Sequence, residues 1–406
     1  MPALDTAPAA GQRLGDEVVD WLTNGTRDER FIDNIFAQMC NRLQRAGLPV
    51  MRASLHVQIN HPQWLGARIL WSDGMDNAEI HRVDYDVGER AEFIGSPASE
   101  IYGGATEIRE NLARAPELGR QHAIYHDMRT QGLTDYVAWP IFHTLGKRHC
   151  VTFATDRRGG FDHAQIDALQ RLLPVLALVS EIRIKNRLAR TLLETYVGPH
   201  AAEMVLAGAT RRGSGTTVRA AIMICDLRDF TRISDNWPRD DVIDLLNGYF
   251  DAMVEPITQH GGEILKFIGD GLLAIFPLSE PGACANLLHA VTGARKAMAE
   301  LNARNAGNGR APLNYGIGIH VGDVMYGNIG SRTRLDFTVI GPAVNMASRM
   351  EALTKQVGRP VLLSREFAEL VEGPFALARV GEFPVRGFSD PIELFAFEGD
   401  GDPSDS

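Results

Sequence analysis

A chain of 406 residues, 45% hydrophobic and 23% charged, holds apolar material for more than one core, which excludes wholesale disorder and points to two domains with a connector. Its net charge of −10 excludes a general nucleic-acid binder, because no stretch concentrates the basic surface that a phosphate backbone requires. Cys40, Cys150, Cys225 and Cys284 stand too far apart for a metal knuckle or redox pair, residues 1–12 lack a signal pattern, and no apolar run reaches a membrane span of roughly 18 residues, so a cytoplasmic protein with no membrane partner is expected.

Residues 1–25 read as a mobile leader and a short helix. From Arg27 to Ala46 the apolar residues Phe31, Ile32, Ile35, Phe36, Met39 and Leu43 recur at three and four, which predicts an amphipathic helix closed by Gly47-Leu48-Pro49. Strand-like runs follow at 53–59, 66–71, 134–142 and 149–155. This order of helix, strands, variable middle and closing strands makes 26–171 an α+β domain similar to a GAF-like or PAS-like sensory module, with an unknown small-molecule effector. Histidines 56, 61, 81, 122, 126, 143 and 149 define no metal or haem site, since His122 and His126 alone have helical ligand spacing. Trp64, Trp71 and Trp139 read as core residues.

Residues 172–217 read as a connector. Asp162 and Gln165 form a capping-box pattern that starts a long helix. Along it Val175, Val179, Ile182, Asn186, Ala189, Leu193 and Tyr196 alternate in steps of four and three, the spacing of a coiled-coil seam, with Asn186 at a register-setting position. Pro174 is expected to kink the helix upstream of that seam. The same pattern also fits an amphipathic helix folded onto its own domain. Gly198-Pro199 interrupts the helix, and 208–217 reads as a joint.

The remaining segment, 218–398, carries the chemistry, and 399–406 is an acidic tail. A strand at 218–225 feeds Asp226, and Asp270 lies in Gly269-Asp270-Gly271 between apolar runs at 263–268 and 272–276. Two acids at the mouths of neighbouring strands can converge on a pair of hard cations, although each alone also reads as a helix cap or a turn residue. Helices are predicted at 240–260, 282–302 and 343–354, and strands at 313–321, 323–329, 336–340 and within 377–397. That order suits a ferredoxin-like palm. Asn345 and Arg349, four apart on a helix, project from one face.

Three motifs carry a resemblance: Cys225-Asp226-Leu227-Arg228-Asp229-Phe230-Thr231, then Gly261-Gly262-Glu263-Ile264-Leu265-Lys266-Phe267-Ile268-Gly269-Asp270-Gly271, then Thr338-Val339-Ile340-Gly341-Pro342-Ala343-Val344-Asn345-Met346-Ala347-Ser348-Arg349. In this order they resemble the class III nucleotidyl cyclase catalytic domain. The resemblance implies the class III cyclase fold and an adenylate cyclase acting on ATP, with two divalent cations (Mg²⁺ or Mn²⁺) on Asp226 and Asp270. It implies phosphate contacts from the backbone of Phe230 and Thr231, ribose orientation by Asn345 and transition-state stabilisation by Arg349. Arg386 stands where the family usually has a phosphate-binding lysine, and either Arg332 or Arg334 also suits the phosphates. Lys266 matches the purine-reading lysine of adenylate cyclases, while Thr338 replaces the usual aspartate, a pairing similar to the class IIIb subgroup, whose members often respond to bicarbonate. Guanylate cyclase, or a catalytically silent nucleotide-binding regulator, is the alternative. The family's shared sites imply a homodimer through the catalytic domains and the coiled coil.

Overall fold

The computed structural model describes residues 15–59, 62–89, 93–114, 119, 122–385 and 391–400. The chain divides into two compact units, 1–192 and 193–406.

The first unit runs α1 (Asp16–Asn24), α2 (Ile32–Arg45), β1 (Arg52–Gln58), β2 (Gly66–Ser72), β3 (Glu79–Val83), α3 (Pro97–Tyr102), β4 (Ile108–Asn111), α4 (Ala123–Thr130), β5 (Asp135–Phe142), β6 (Arg148–Thr155) and α5 (His163–Val197), whose last turn belongs to the second unit. Among the described residues its strands form one antiparallel sheet in the order β3-β2-β1-β6-β5-β4. Alternation along β1 sends Ala53, Leu55 and Val57 into a core shared with α1, α2 and α5. Ser54 and His56 face the other way, where the Ser54 hydroxyl bonds the His56 ring at 2.8 Å and Thr152 at 2.6 Å. Burial, with Arg68 and Arg52 nearby, lowers His56 to about 3, so it serves as a neutral hydrogen-bonding group. Trp71 and Trp139 are buried core residues.

The capping box forms as the sequence suggests: the Asp162 N–H donates to Gln165 Oε1 and the Gln165 N–H to Asp162 Oδ1, both at 3.0 Å. Helix α5 then continues through Pro174, which lies on the exposed side of the helix. The front of the seam is also spent within the unit, since Val175 and Val179 pack on its own core. Beyond them the stripe faces solvent, with Ile182 52% and Tyr196 76% exposed and Asn186 and Ala189 open.

The second unit continues from the end of α5 with α6 (Pro199–Leu206), β7 (Gly215–Leu227), α7 (Phe230–Asn236), α8 (Arg239–Gln259), β8 (Glu263–Ile268), β9 (Gly271–Pro277), α9 (Ala283–Gly307), β10 (Tyr315–Gly330), β11 (Leu335–Ile340), α10 (Pro342–Val357), β12 (Val361–Ser364), α11 (Arg365–Ala368), β13 (Phe375–Phe383) and β14 (Ile392–Asp400). The run β7-α8-β8-β9-α9-β10 has β-α-β-β-α-β order, and its strands lie side by side as β10-β7-β9-β8, every neighbour antiparallel. This is a mixed α+β unit with a ferredoxin-like palm. β7 is covered on both faces: Ala221, Met223 and Cys225 meet α8 and α9, while Ala220 and Ile222 meet α6, β11 and α10. That is why its sequence is a continuous apolar run. The two strands expected at 313–321 and 323–329 are one 16-residue strand, β10. Among the described residues no helix is long and apolar enough to cross a membrane, and Cys40, Cys150, Cys225 and Cys284 are all free and buried.

Candidate active site

β7 ends by delivering Asp226 opposite Gly271 of β9, so Asp270, in the turn before Gly271, comes beside it. Gly271 lets the two approach, since a Cβ there would lie 3.0 Å from Asp226 Oδ1 and 2.8 Å from the Cys225 carbonyl oxygen. The Asp226 carboxyl is pushed up to about 6, first by burial, then by the charge of Asp270 and by a hydrogen bond with it. Two crowded carboxylates of this kind relieve their repulsion by sharing a proton or by holding a cation. Among the described residues no group of three or more His, Cys, Asp or Glu is placed to hold a metal ion. The donor set is therefore a pair of acids, and it fits Mg²⁺ or Mn²⁺, because Mg²⁺ keeps several waters and is held by one or two carboxylates together with substrate phosphates.

After Asp226 the chain turns through Asp229, whose φ of 58° is left-handed, and enters α7. Phe230 packs against the core and Thr231 is exposed. Lys266 is exposed on β8 and lines a hollow of about 440 Å³ with Arg334, Asp336, Phe267 and Tyr196. Neither metal-side acid, nor Asn345, nor Arg349 belongs to that lining. Thr338, on β11, is only 4% exposed and its hydroxyl lacks a hydrogen-bond partner among the described residues. Asn345 is exposed and Arg349 half-buried on α10, one turn apart. Arg332 and Arg334 are both exposed, and Arg386 lies outside the described residues. Within one chain the structure thus brings together Asp226 and Asp270, sets Lys266 and Arg334 in a separate hollow, and carries Asn345 and Arg349 on a third element.

Sequence reasoning missed a charged pair whose field reaches the acids. Arg228 Nη2 lies 3.4 Å from Glu351 Oε1 on α10, and both atoms are buried with no hydrogen-bond partner among the described residues. Burial pushes the Glu351 carboxyl up to about 7 against the pull of Arg228, with Asp226 and Asp270 adding to the rise. Three glycines of β10 make the room. A Cβ on Gly316 would stand 2.1 Å from Arg228 Nη2 and 2.5 Å from Glu351 Oε1, one on Gly318 2.2 Å from the Ala347 carbonyl oxygen, and one on Gly322 2.6 Å from Ala343 Cβ. The spacing Gly316-x-Gly318 on a strand was the available signal.

The joint after α5 also reaches this machinery. Gly198, at φ 88°, ends the helix, the His200 ring stacks on Tyr326 at 5.5 Å, and the Tyr326 hydroxyl donates to Glu263 at the start of β8. The joint thereby rests on the strand that carries Lys266.

Residues 214–399 match the adenylate and guanylate cyclase catalytic domain family. An adenylate cyclase of Anabaena cylindrica is 35% identical over 190 residues, covering 45% of this chain and 37% of that protein. The terminal-differentiation adenylate cyclase of Dictyostelium discoideum is 34% identical over 178 residues, 43% of this chain and 8% of its own length. The chain thus spans well under half of these curated relatives. Among solved structures, the adenylyl cyclase CyaB from P. aeruginosa is 30% identical, covering 45% of this chain and 95% of that one with a TM-score of 0.42. The guanylyl cyclase Cya2 is 31% identical, covering 47% and 97% with a TM-score of 0.43. Residues 214–399 are a class III adenylate/guanylate cyclase catalytic domain.

Proposed function

We propose that this chain is an adenylate cyclase that converts ATP to 3′,5′-cyclic AMP and pyrophosphate. The observation that supports it best is the crowding of Asp226 and Asp270 at the ends of adjoining strands. Two divalent cations held there supply positive charge that eases loss of the ribose 3′-hydroxyl proton and neutralises the triphosphate. Asp226 and Asp270 hold that charge in place, and the backbone N–H groups of Phe230 and Thr231 take phosphate oxygens. Lys266 donates to a purine ring nitrogen, and the Thr338 hydroxyl accepts from the exocyclic amino group. A buried hydroxyl without a partner costs about 1–3 kcal/mol, which a base amino group would offset. Asn345 orients the ribose. Arg349 sets its guanidinium on the α-phosphate, where charge grows as the 3′ oxygen bonds to phosphorus and the bond to the β-phosphate oxygen breaks. Arg334, which shares the hollow with Lys266, and Arg386 serve the triphosphate.

Two copies complete each other in this reading: the acids come from one, and Lys266, Thr338, Asn345 and Arg349 from its partner. It is supported by the separation of these groups within one chain and by the open stripe Ile182, Asn186, Ala189 and Tyr196 on α5. The first unit is read as a GAF-like sensory domain for a small effector, acting through the connector and the His200–Tyr326–Glu263 chain. The four free thiols support a reducing, cytoplasmic compartment.

The test is to incubate the purified chain with Mn²⁺ and either ATP or GTP and identify the product by mass spectrometry. Cyclic AMP is expected. Cyclic GMP alone would overturn the choice of nucleotide, and no cyclic product from either would leave the silent regulator standing.

A further inference from the structure

In the first unit a cavity of about 80 Å³ opens between the β2–β3 end of the sheet and helix α5. Val57, Ala67 and Ile69 make its buried floor, and Ile184, Leu188 and Thr191 of α5 make its opposite wall. At roughly 10–15 Å³ for each water-sized group, it accommodates on the order of six methylenes. Arg82 of β3 and Arg187 of α5, both exposed, stand in its lining. Arg187 is held over the Phe31 ring, 5.9 Å from its centroid. Among the described residues neither guanidinium has a carboxylate partner.

A cavity with an apolar floor and two uncompensated guanidinium groups complements one kind of molecule. We infer that it binds a slender monoanionic amphiphile, a medium-chain carboxylate, with its tail on Ala67 and Ile69 and its head on Arg82 and Arg187. The planar guanidinium fork matches a carboxylate, and the tail removes apolar wall from water. The occupant is not a second copy of the chain. Ile184, Leu188 and Thr191 project from the side of α5 opposite Ile182, Asn186 and Ala189, so self-pairing along the open stripe leaves the cavity free. Occupancy would press on α5 one turn before the helix crosses into the second unit at Leu193. This rests on the sensory reading of the first unit, and names its ligand.

The probe is octanoate, titrated calorimetrically into the full chain without nucleotide or metal, so that loss of cyclase activity cannot masquerade as loss of binding. Saturable binding is expected, weakened about tenfold or more by Arg82→Ala and by Arg187→Ala, as loss of a charge-assisted hydrogen bond predicts. Octan-1-ol should bind at least about tenfold more weakly for the same reason. Ala67→Phe, which fills the floor, should abolish binding with the thermal unfolding transition retained. Should that variant not fold, the two exposed arginines carry the test. The inference is overturned if octanoate shows no saturable heat below roughly 5 mM, if both arginine variants bind as the parent does, or if octan-1-ol binds equally well.

Discussion

Removing the charge of Asp270 should stabilise this protein when no metal is present, and only above acid pH. Asp226 ordinarily ionises at 3.8 and is lifted to about 6, with burial the larger cause and Asp270 next. At about 1.4 kcal/mol per pH unit, holding Asp226 ionised costs about 3 kcal/mol at neutral pH. Because the residue is only half-buried, screening cuts this to about 1–2 kcal/mol, and since burial persists in the variant, Asp270→Asn should recover about 1 kcal/mol. The direction follows from proton counting. Between pH 3.8 and about 6 the folded state holds a proton that the unfolded state has released, so stability falls as pH rises through that window and is flat above it. Glu351, pushed up to about 7, adds a fall of the same sign that extends toward neutrality. Thermal unfolding in EDTA from pH 4.5 to 8 reads the difference. Asp270→Asn should melt about 2–4 °C above the parent at pH 7.5, with the gap closing near pH 4.5. Adding Mn²⁺ should reverse the ranking, because only the parent retains both acids. A gap of constant size at every pH, or a variant less stable at pH 7.5, would refute the claim that the two carboxylates crowd one another.

Four further outcomes are expected. Asp226→Ala and Arg349→Ala chains, each inactive alone, should recover on the order of half the parent activity in isolated heterodimers, since one of two sites is then intact; no recovery in verified heterodimers rules out shared sites. Gly318→Ala should cost about 3 kcal/mol by forcing α10 off β10, and a melting temperature within error of the parent would contradict the close packing there. Lys266→Glu should lower the ratio of cyclic AMP to cyclic GMP formed, and an unchanged ratio removes Lys266 from base selection. Inserting one residue after Asn186 should rotate the open stripe of α5 by about 100° and change basal activity, and identical activity would show that register carries no signal.

The palm of the second unit and the meeting of Asp226 with Asp270 were legible because they lie in short contiguous motifs, where local spacing stands in for geometry. The strands expected at 313–321 and 323–329 part at Gly322, yet Gly322 lies inside one strand, and it is small because α10 presses on it rather than because the chain turns. Arg228 and Glu351 went unseen for a different reason, since an ion pair joining residues so distant in sequence leaves no periodic trace. Helix α2 begins at Ile32, five residues later than the periodicity suggested, with Phe31 at its cap and half open to solvent. In α5 the first two members of the heptad pattern, Val175 and Val179, serve the unit's own core, because an i, i+4 apolar pair cannot tell a neighbouring sheet from a neighbouring helix.

The glycine stripe of β10 has a mechanical consequence. At Gly318 main chain meets main chain, since a Cβ there would stand 2.2 Å from the Ala347 carbonyl oxygen and 2.3 Å from the Glu351 nitrogen, so α10 cannot slide along the strand at that point without first lifting away from it. Asn345 and Arg349 are therefore clamped to the same rigid block as Asp226 in their own chain. Under the proposed sharing of sites between two copies, a change at the reaction centre would then be expected to move one whole palm against another rather than to loosen a single palm.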